Sequence, residues 1–142
     1  MPGMNPILLV TGGSRGIGAA VARQAAAAGY DVAINYTRDE AAAQAVAADV
    51  RAAGRQAFVL RADVADEAQV VAMFAALDDA AARHGGRLAA LVNNAGVVDR
   101  PQRVDEMSGE RFRRMFAINV LGSLYCAREA VRRMSTKHGG AG

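Results

Sequence analysis

The sequence predicts an α/β domain built on a doubly wound parallel sheet. Short apolar segments that suit buried strands alternate four times with longer segments of helical periodicity. Each segment between successive strands is long enough for a helix, so the strands are expected to run parallel with right-handed crossovers. With 142 residues, 52% of them hydrophobic, the chain can form one domain with a core.

Residues that favour helix ends bound the predicted helices in the first half of the chain. Thr37 and Glu40 have the spacing of a capping box, in which the two side chains satisfy free backbone N–H groups. Gly29 and Gly54 suit the left-handed residue that commonly follows a helix. The predicted elements are a strand at Ile7–Val10, a helix at Ala19–Ala28, a strand at Asp31–Tyr36 and a helix from Thr37 to about Ala53.

Similar signals organise the second half. Asp66 with Gln69 caps a helix that Gly85-Gly86 ends, and Ser108 is the expected N-cap of a long helix. The predicted elements are a strand at Gln56–Arg61, a helix from Asp66 to about Arg83, a strand at Leu88–Val92, a helix from Ser108 to about Met134 and a final loop at Lys137–Gly142.

This order of elements predicts the strand order 3-2-1-4, with a topological switch point between strands 1 and 4. Ligands of such sheets bind beyond the carboxyl ends of the strands at that point. Two glycine-containing segments, Thr11–Gly18 and Asn93–Gly96, fall there. The sequence therefore predicts a Rossmann-type dinucleotide-binding sheet, with no internal repeat, linker or second domain.

The segment Thr11–Gly18 follows the first strand and leads into the first helix, as a phosphate site requires. Unpaired N–H groups and the helix dipole favour an anion there, and glycines allow close approach of a pyrophosphate. The spacing Gly12-x-x-x-Gly16-x-Gly18 differs from G-x-G-x-x-G, and the Gly-Lys-Ser/Thr of a nucleoside-triphosphatase loop is missing. A tight turn without a ligand is the alternative.

Composition excludes several classes of protein. The net charge is +3, but acids are interspersed with the arginines and no aromatic-basic patch accompanies them, which disfavours nucleic-acid binding. No segment predicts a membrane span or a secretory signal, and no metal site is predicted. Cys126 is the single cysteine, so it forms no internal disulfide; a cytoplasmic location and a place in the core or an interface are expected.

Four motifs in order give the chain a strong resemblance to the short-chain dehydrogenase/reductase family. They are Thr11-Gly12-x-x-x-Gly16-x-Gly18, Asp63-Val64 after strand 3, Asn93-Asn94-Ala95-Gly96 after strand 4, and Asn119 within Ile118-Asn119-Val120. The resemblance covers essentially the whole chain. It is similar to bacterial 3-oxoacyl-carrier-protein reductases and to glucose dehydrogenases, which these motifs do not separate.

The resemblance implies a role for each motif in binding a nicotinamide cofactor. The three glycines of the turn shape the pyrophosphate site, Asp63 accepts a hydrogen bond from the adenine amino group, and Val64 lies beside it. The alternatives are a turn residue for Asp63, core packing for Ile17, and backbone bonding at the sheet edge for Asn93, the last of which we favour. The implied cofactor-binding residues are Gly12, Ser14, Arg15, Gly16, Ile17, Gly18, Asp63, Val64, Asn94, Ala95 and Gly96.

Charge at the end of strand 2 favours NADP(H) over NAD(H). An NAD site has an acid about twenty residues after the glycine turn, which binds the ribose 2′-hydroxyl. Tyr36 stands there, followed by Thr37 and Arg38, so no carboxylate repels a 2′-phosphate. Arg15 and Arg38 are the expected ligands of that phosphate. The alternative is that Arg38 is solvated and Thr37 only caps a helix.

The resemblance also implies catalysis by Asn, Ser, Tyr and Lys, of which only Asn119 has a counterpart. Lys137 is the sole lysine, and no Tyr-x-x-x-Lys occurs. The expectation is that the 142 residues are the dinucleotide-binding part of a longer NADP-dependent oxidoreductase and are inactive alone. That oxidoreductase would act on a carbonyl or alcohol and form a homodimer or homotetramer.

Two alternatives remain at this point. One is a natural half-length protein that binds a nucleotide or a partner without catalysis. The other is a methyltransferase with the same topology. That class needs an acid at the end of strand 2, where this chain has Tyr36, and the Asn93–Gly96 motif also disfavours it. The loop Val97–Met107, with Arg100 and Arg103, is either the entrance to a substrate pocket or a solvated loop.

Overall fold

A computed structural model of the protein describes residues 3–142. Its four strands form one parallel sheet in the order 3-2-1-4, which confirms the predicted α/β, Rossmann-type architecture. The strands are β1 (Asn5–Val10), β2 (Asp31–Tyr36), β3 (Ala57–Arg61) and β4 (Gly86–Val92). The helices are α1 (Gly16–Ala27), α2 (Glu40–Ala52), α3 (Glu67–His84), α4 (Gly109–Phe116) and α5 (Gly122–Met134).

The sheet separates two apolar layers because neighbouring strand residues face opposite sides. Leu9 packs with α3 and α5, whereas Val10 packs with α1 and α2. Cys126 lies in the first layer, as expected. Burial, with a smaller contribution from the charge of Glu129, raises the pKa of its thiol to about 11. Within residues 3–142, no helix combines the length and the apolar composition needed to cross a bilayer.

The structure corrects three predicted helix ends. Asp39, rather than Thr37, caps α2: its carboxylate accepts a hydrogen bond from the Ala42 N–H at 2.9 Å. The first helix begins at Gly16, three residues before the predicted start. Gly85 alone ends α3, with φ +66°, and Gly86 already belongs to β4.

The predicted long helix is present but contains a π-helical turn. Ser108 caps its start through the Arg111 N–H, as predicted, and the turn covers Ala117–Leu121 between α4 and α5. Immediately after it, Gly122 lies so close to Val64 that an added Cβ would be 2.9 Å from the Val64 carbonyl oxygen. π-helical turns within helices are often found at functional sites. This one contains Asn119, the predicted catalytic residue.

Arginine–carboxylate pairs join α5 to α3. Glu129 of α5, only 4% exposed, accepts hydrogen bonds from Arg128, Arg132 and Arg133 at 2.9–3.3 Å. Burial alone would raise the pKa of Glu129, but the hydrogen bonds from Arg128 and Arg133, with the charge of Arg132, outweigh it and hold this pKa below its usual range. The pairs that cross to α3 are Arg128–Glu67 at 2.7 Å and Arg133–Asp78 at 2.8 Å.

We therefore expect the stability of the fold to decrease in acid because of Glu129. Because the pKa of Glu129 is lower in the folded state, its carboxylate stabilises the fold at pH values above its pKa in the unfolded chain, about 4.3. This contribution disappears as the pH falls through the pKa of the folded state. Glu129→Gln should cost about 1–2 kcal/mol at pH 7, since its arginine partners are partly exposed and can turn to solvent. Urea unfolding between pH 3 and 7 measures both effects.

The control is Asp105→Asn, which removes an exposed carboxylate whose pKa the Arg103 hydrogen bond lowers. Exposed ion pairs contribute little, so the pH dependence of this variant should follow the wild type. A wild-type slope that persists in Glu129→Gln would contradict the assignment.

Candidate nucleotide-binding site

The glycine turn lies at the carboxyl end of β1, where the sheet has its switch point between β1 and β4. Gly12 has φ +61° and Gly16 has φ +55°, a left-handed backbone that favours glycine. Gly18 needs glycine for space: an added Cβ would collide with the Gly12 carbonyl oxygen and stand 2.6 Å from Asn94 Nδ2. The first turn of α1 is therefore drawn tightly against the turn that precedes it.

The residues after β4 fix this turn from one side. The Asn94 side-chain amide donates to the carbonyl oxygens of Thr11 and Gly12 at 3.0 and 3.1 Å. The buried Thr11 hydroxyl accepts from the backbone N–H groups of Asn94 and Ala95 at 3.0 and 2.9 Å. The two motifs at the switch point thus form one hydrogen-bonded unit, in which Asn94 shapes the glycine turn.

Asn35 of β2 fixes the turn from the other side. Its side-chain oxygen accepts from the Gly12 N–H at 3.1 Å, and its backbone carbonyl accepts from the Gly13 N–H at 2.8 Å. Its amide nitrogen donates to the carbonyls of Leu60 and Ala62 at the end of β3, at 3.3 and 3.1 Å. Asn35 was not among the site residues predicted from the sequence, although an amide inside an otherwise apolar strand was a signal for it.

The start of α1 is open to solvent. Among the described residues, no side chain caps α1 and no acidic residue stands in its first turn, so its N–H groups remain available to an anion. Ile17 is 77% exposed, which excludes the core packing considered above. Ser14 is half-buried beside it and Arg15 is exposed.

The ends of β2 and β3 lie next to this opening. Tyr36 is buried in the core, so Thr37 and Arg38 are the exposed residues at the end of β2. In the part of the chain that the structure describes, Arg15 and Arg38 form no salt bridge, unlike Arg23, which pairs with Asp49. The two candidate phosphate ligands therefore have uncommitted guanidinium groups.

Asp63 occupies the turn between β3 and α3. One of its carboxylate oxygens accepts from the Ala65 N–H at 3.0 Å, and its own N–H donates to the side chain of Gln69 at 2.9 Å. This is the role of a turn residue that the sequence analysis weighed against adenine recognition. Val64 is buried against Gly122, so the Asp63-Val64 segment is fixed from both sides.

Asn119 and Asn93 connect the end of β4 to the long helix. The Asn119 side chain accepts from the Val97 N–H at 2.8 Å and donates to the Val97 carbonyl at 2.9 Å. Asn93 donates to the Ser123 carbonyl at 3.1 Å, so it bonds backbone as we favoured, but on α5 rather than at the sheet edge. Gly96 lies against Asn119, where an added Cβ would be 3.2 Å from its side-chain oxygen.

The loop Val97–Met107 is held over α4 by Arg111. Its guanidinium donates to the Gln102 side chain at 2.8 Å and to the Arg100 carbonyl oxygen. Arg103 pairs with Asp105 inside the loop and is exposed. The loop is thus an ordered rim next to Asn119.

Comparison with known proteins gives consistent matches. A family model described as short chain dehydrogenase matches residues 6–141. The uncharacterized oxidoreductase YgfF of Escherichia coli K12 is 52% identical over 136 residues, which are 96% of this chain and 53% of the relative. Elsinochrome reductase 1 of Elsinoe fawcettii is 43% identical over 129 residues, covering 91% of this chain and 46% of the relative.

Two solved structures have the same fold. A short-chain dehydrogenase/reductase from Serratia marcescens BCRC 10948 superposes with a TM-score of 0.82 at 36% identity, over 94% of this chain and 53% of that one. A short chain dehydrogenase from Burkholderia cenocepacia J2315 in complex with NADP gives a TM-score of 0.79 at 41% identity, over 89% and 49%. The chain spans about half the length of the curated relatives it matches.

Proposed function

The chain belongs to the short-chain dehydrogenase family, and from this premise we propose that it holds NADP(H) across the glycine turn of an oxidoreductase. The observation that carries the proposal is the start of α1, which is open to solvent at the switch point and follows a turn in which Gly12 and Gly18 are closely packed. A pyrophosphate fits such a start because unpaired N–H groups and the helix dipole stabilise its charge.

The remaining site residues are assigned by following the nucleotide outward from the turn. Ser14 and Ile17 contact the phosphates, Asp63 and Val64 lie at the adenine, and Asn94, Ala95 and Gly96 line the nicotinamide ribose. The second oxygen of the Asp63 carboxylate receives the adenine amino group, while the first keeps its bond to Ala65.

Preference for the 2′-phosphate follows from charge. Tyr36 is buried and no acid stands at the end of β2, so nothing there pairs with a ribose 2′-hydroxyl as an NAD site requires. Arg15 and Arg38 are exposed and unpaired within the described residues, and each can donate charge-assisted hydrogen bonds to a phosphate. The NADP complex of the Burkholderia relative supports the same cofactor.

The Arg15→Gln/Arg38→Gln double variant should lose the preference for NADPH over NADH. Two charge-assisted hydrogen bonds of about 1.5–3 kcal/mol each correspond to a preference of roughly 100-fold or more. Titrating the chain with NADPH and NADH, by nicotinamide fluorescence and by calorimetry, gives both dissociation constants for each protein.

Arg23→Gln is the matched control, because Arg23 lies on α1, the helix that begins directly after Arg15, but pairs with Asp49. It should leave the ratio of the two dissociation constants unchanged. If the double variant keeps the wild-type ratio, the assignment of the 2′-phosphate is wrong. S-Adenosylmethionine binding in place of NADPH would favour the methyltransferase alternative.

In the whole protein, we propose that this site serves hydride transfer between NADP(H) and a carbonyl or alcohol. The nicotinamide supplies or accepts the hydride when bound. Asn119 fixes the Val97 backbone beside the nicotinamide end and takes part in proton relay. The family's serine, tyrosine and lysine have no counterparts among the 142 residues, so we expect these residues alone to bind the cofactor without catalysis.

Assembly is proposed to use the long helix. Exposed apolar side chains recur along α4, the π-turn and α5, mostly four residues apart. Residues with this spacing lie on one face of a helix. A face of this kind supports a homodimer or homotetramer because it remains uncovered in the single chain. Its members are Phe112, Phe116, Val120, Leu124 and Val131.

A further inference from the structure

A third arginine, Arg61, lies beside the two proposed ligands of the 2′-phosphate. It is the last residue of β3 and stands in register with Tyr36, the last residue of β2. Its Nε donates to the carbonyl oxygen of Thr37 at 3.2 Å. The guanidinium is therefore anchored next to the residue that precedes Arg38.

The two terminal nitrogens of Arg61 remain uncommitted. The residue is exposed, and among residues 3–142 it forms no salt bridge. The Nε bond fixes the plane of the guanidinium at the sheet edge, which lowers the entropy lost when the terminal nitrogens bind a ligand. A fixed fork of N–H donors matches a phosphate, whereas stabilising the strand end needs only the single bond to Thr37.

The position also suits the path of the nucleotide. Asp63, two residues after Arg61, is the proposed adenine contact, and Arg38 follows the carbonyl group that Arg61 binds. In the proposed binding mode, the ribose that joins adenine to pyrophosphate would cross the ends of β2 and β3 between Asp63 and Arg38. We propose that Arg61 binds the 2′-phosphate of NADP(H) and, with Arg15 and Arg38, determines the selectivity of the site; this rests on the proposed function above.

The test uses 2′,5′-ADP and 5′-AMP, which share adenosine and a single 5′-phosphate and differ only in the 2′-phosphate. Calorimetric titration of the 142-residue chain should show that Arg61→Gln weakens 2′,5′-ADP about tenfold. Binding of 5′-AMP should change less than about twofold, because 5′-AMP lacks the 2′-phosphate that Arg61 is proposed to bind. Arg61→Lys keeps the charge without the fork and should fall between the wild type and Arg61→Gln.

Arg87→Gln is the matched control, since Arg87 is the second residue of β4, the strand at the opposite edge of the sheet, and carries the same charge. It should leave both titrations unchanged. Equal weakening of both nucleotides by Arg61→Gln would mean that Arg61 only supports the strand ends, and no weakening would mean that it does not reach the ligand. Either result overturns the inference.

Failure of the proposed function has a different signature. A wild-type chain that binds 2′,5′-ADP no better than 5′-AMP, or binds neither, would overturn the NADP(H) assignment itself. A wild-type preference that is lost in the Arg15→Gln/Arg38→Gln variant but kept in Arg61→Gln would leave the proposed function intact and remove Arg61 from it.

Discussion

A Gly18→Ala variant is expected to lose affinity for NADPH by roughly 100-fold and to unfold about 1–3 kcal/mol more easily. The added methyl group would collide with the Gly12 carbonyl oxygen, which is backbone and cannot move away as a flexible side chain can. The start of α1 must therefore shift away from the glycine turn. The N–H groups of its first turn then no longer converge on a pyrophosphate.

The effect on affinity has to be separated from the effect on stability. Gly86→Ala is the matched control, because it also adds a methyl group in a crowded place but at the opposite end of the sheet. Its Cβ would be 2.8 Å from Ile7 Cδ1. Ile7 is fully buried and has little room to move, so this variant should destabilise the fold while nucleotide affinity per folded molecule is unchanged. Gly16→Ala adds a methyl group in open space at φ +55°, so it tests backbone strain without a collision. Wild-type affinity in Gly18→Ala would refute the packing argument.

The strands and the glycine turn could be predicted because their causes are local. An apolar run followed by glycines and an alanine-rich segment specifies strand, turn and helix without knowledge of distant residues. The sheet order followed from the alternation of strands and helices, which is typical of a doubly wound sheet. Arg15 and Arg38 could likewise be proposed from spacing alone, since the end of β2 always adjoins the turn after β1 in such sheets.

What the sequence did not reveal depends on long-range contacts. Thr37 and Asp39 both suit an N-cap, and Asp39 is the one that caps α2. Thr37 lies next to the end of β3, where its hydroxyl is 3.5 Å from the Ala62 carbonyl oxygen. The π-turn lies directly before Gly122, which packs on Val64, 58 positions earlier in the numbering. Helical periodicity alone predicts neither the turn nor this contact. The contact between Arg61 and Thr37 exists only because β3 pairs with β2, so it could not be predicted from either segment alone.

Asn35 is the residue whose loss should cost the most stability. It is 1% exposed, and it joins β2 to the glycine turn and to the end of β3 at once. In Asn35→Leu, the Gly12 N–H and the Ala62 carbonyl lose their side-chain partner. An unsatisfied buried polar group costs about 1–3 kcal/mol, so the two together should lower the free energy of unfolding by about 2–4 kcal/mol.

Urea unfolding with an unchanged m-value measures this loss, and Asn93→Leu is its control. Asn93 makes one hydrogen bond, to Ser123, and is exposed, so the same substitution there should cost about 1 kcal/mol or less because water replaces the lost partner. Nucleotide affinity adds a second readout: Asn35→Leu frees the Gly12 backbone and should weaken NADPH binding, whereas Asn93→Leu leaves the turn intact. Equal stability of the two variants would show that the bonds of Asn35 do not hold the glycine turn in place.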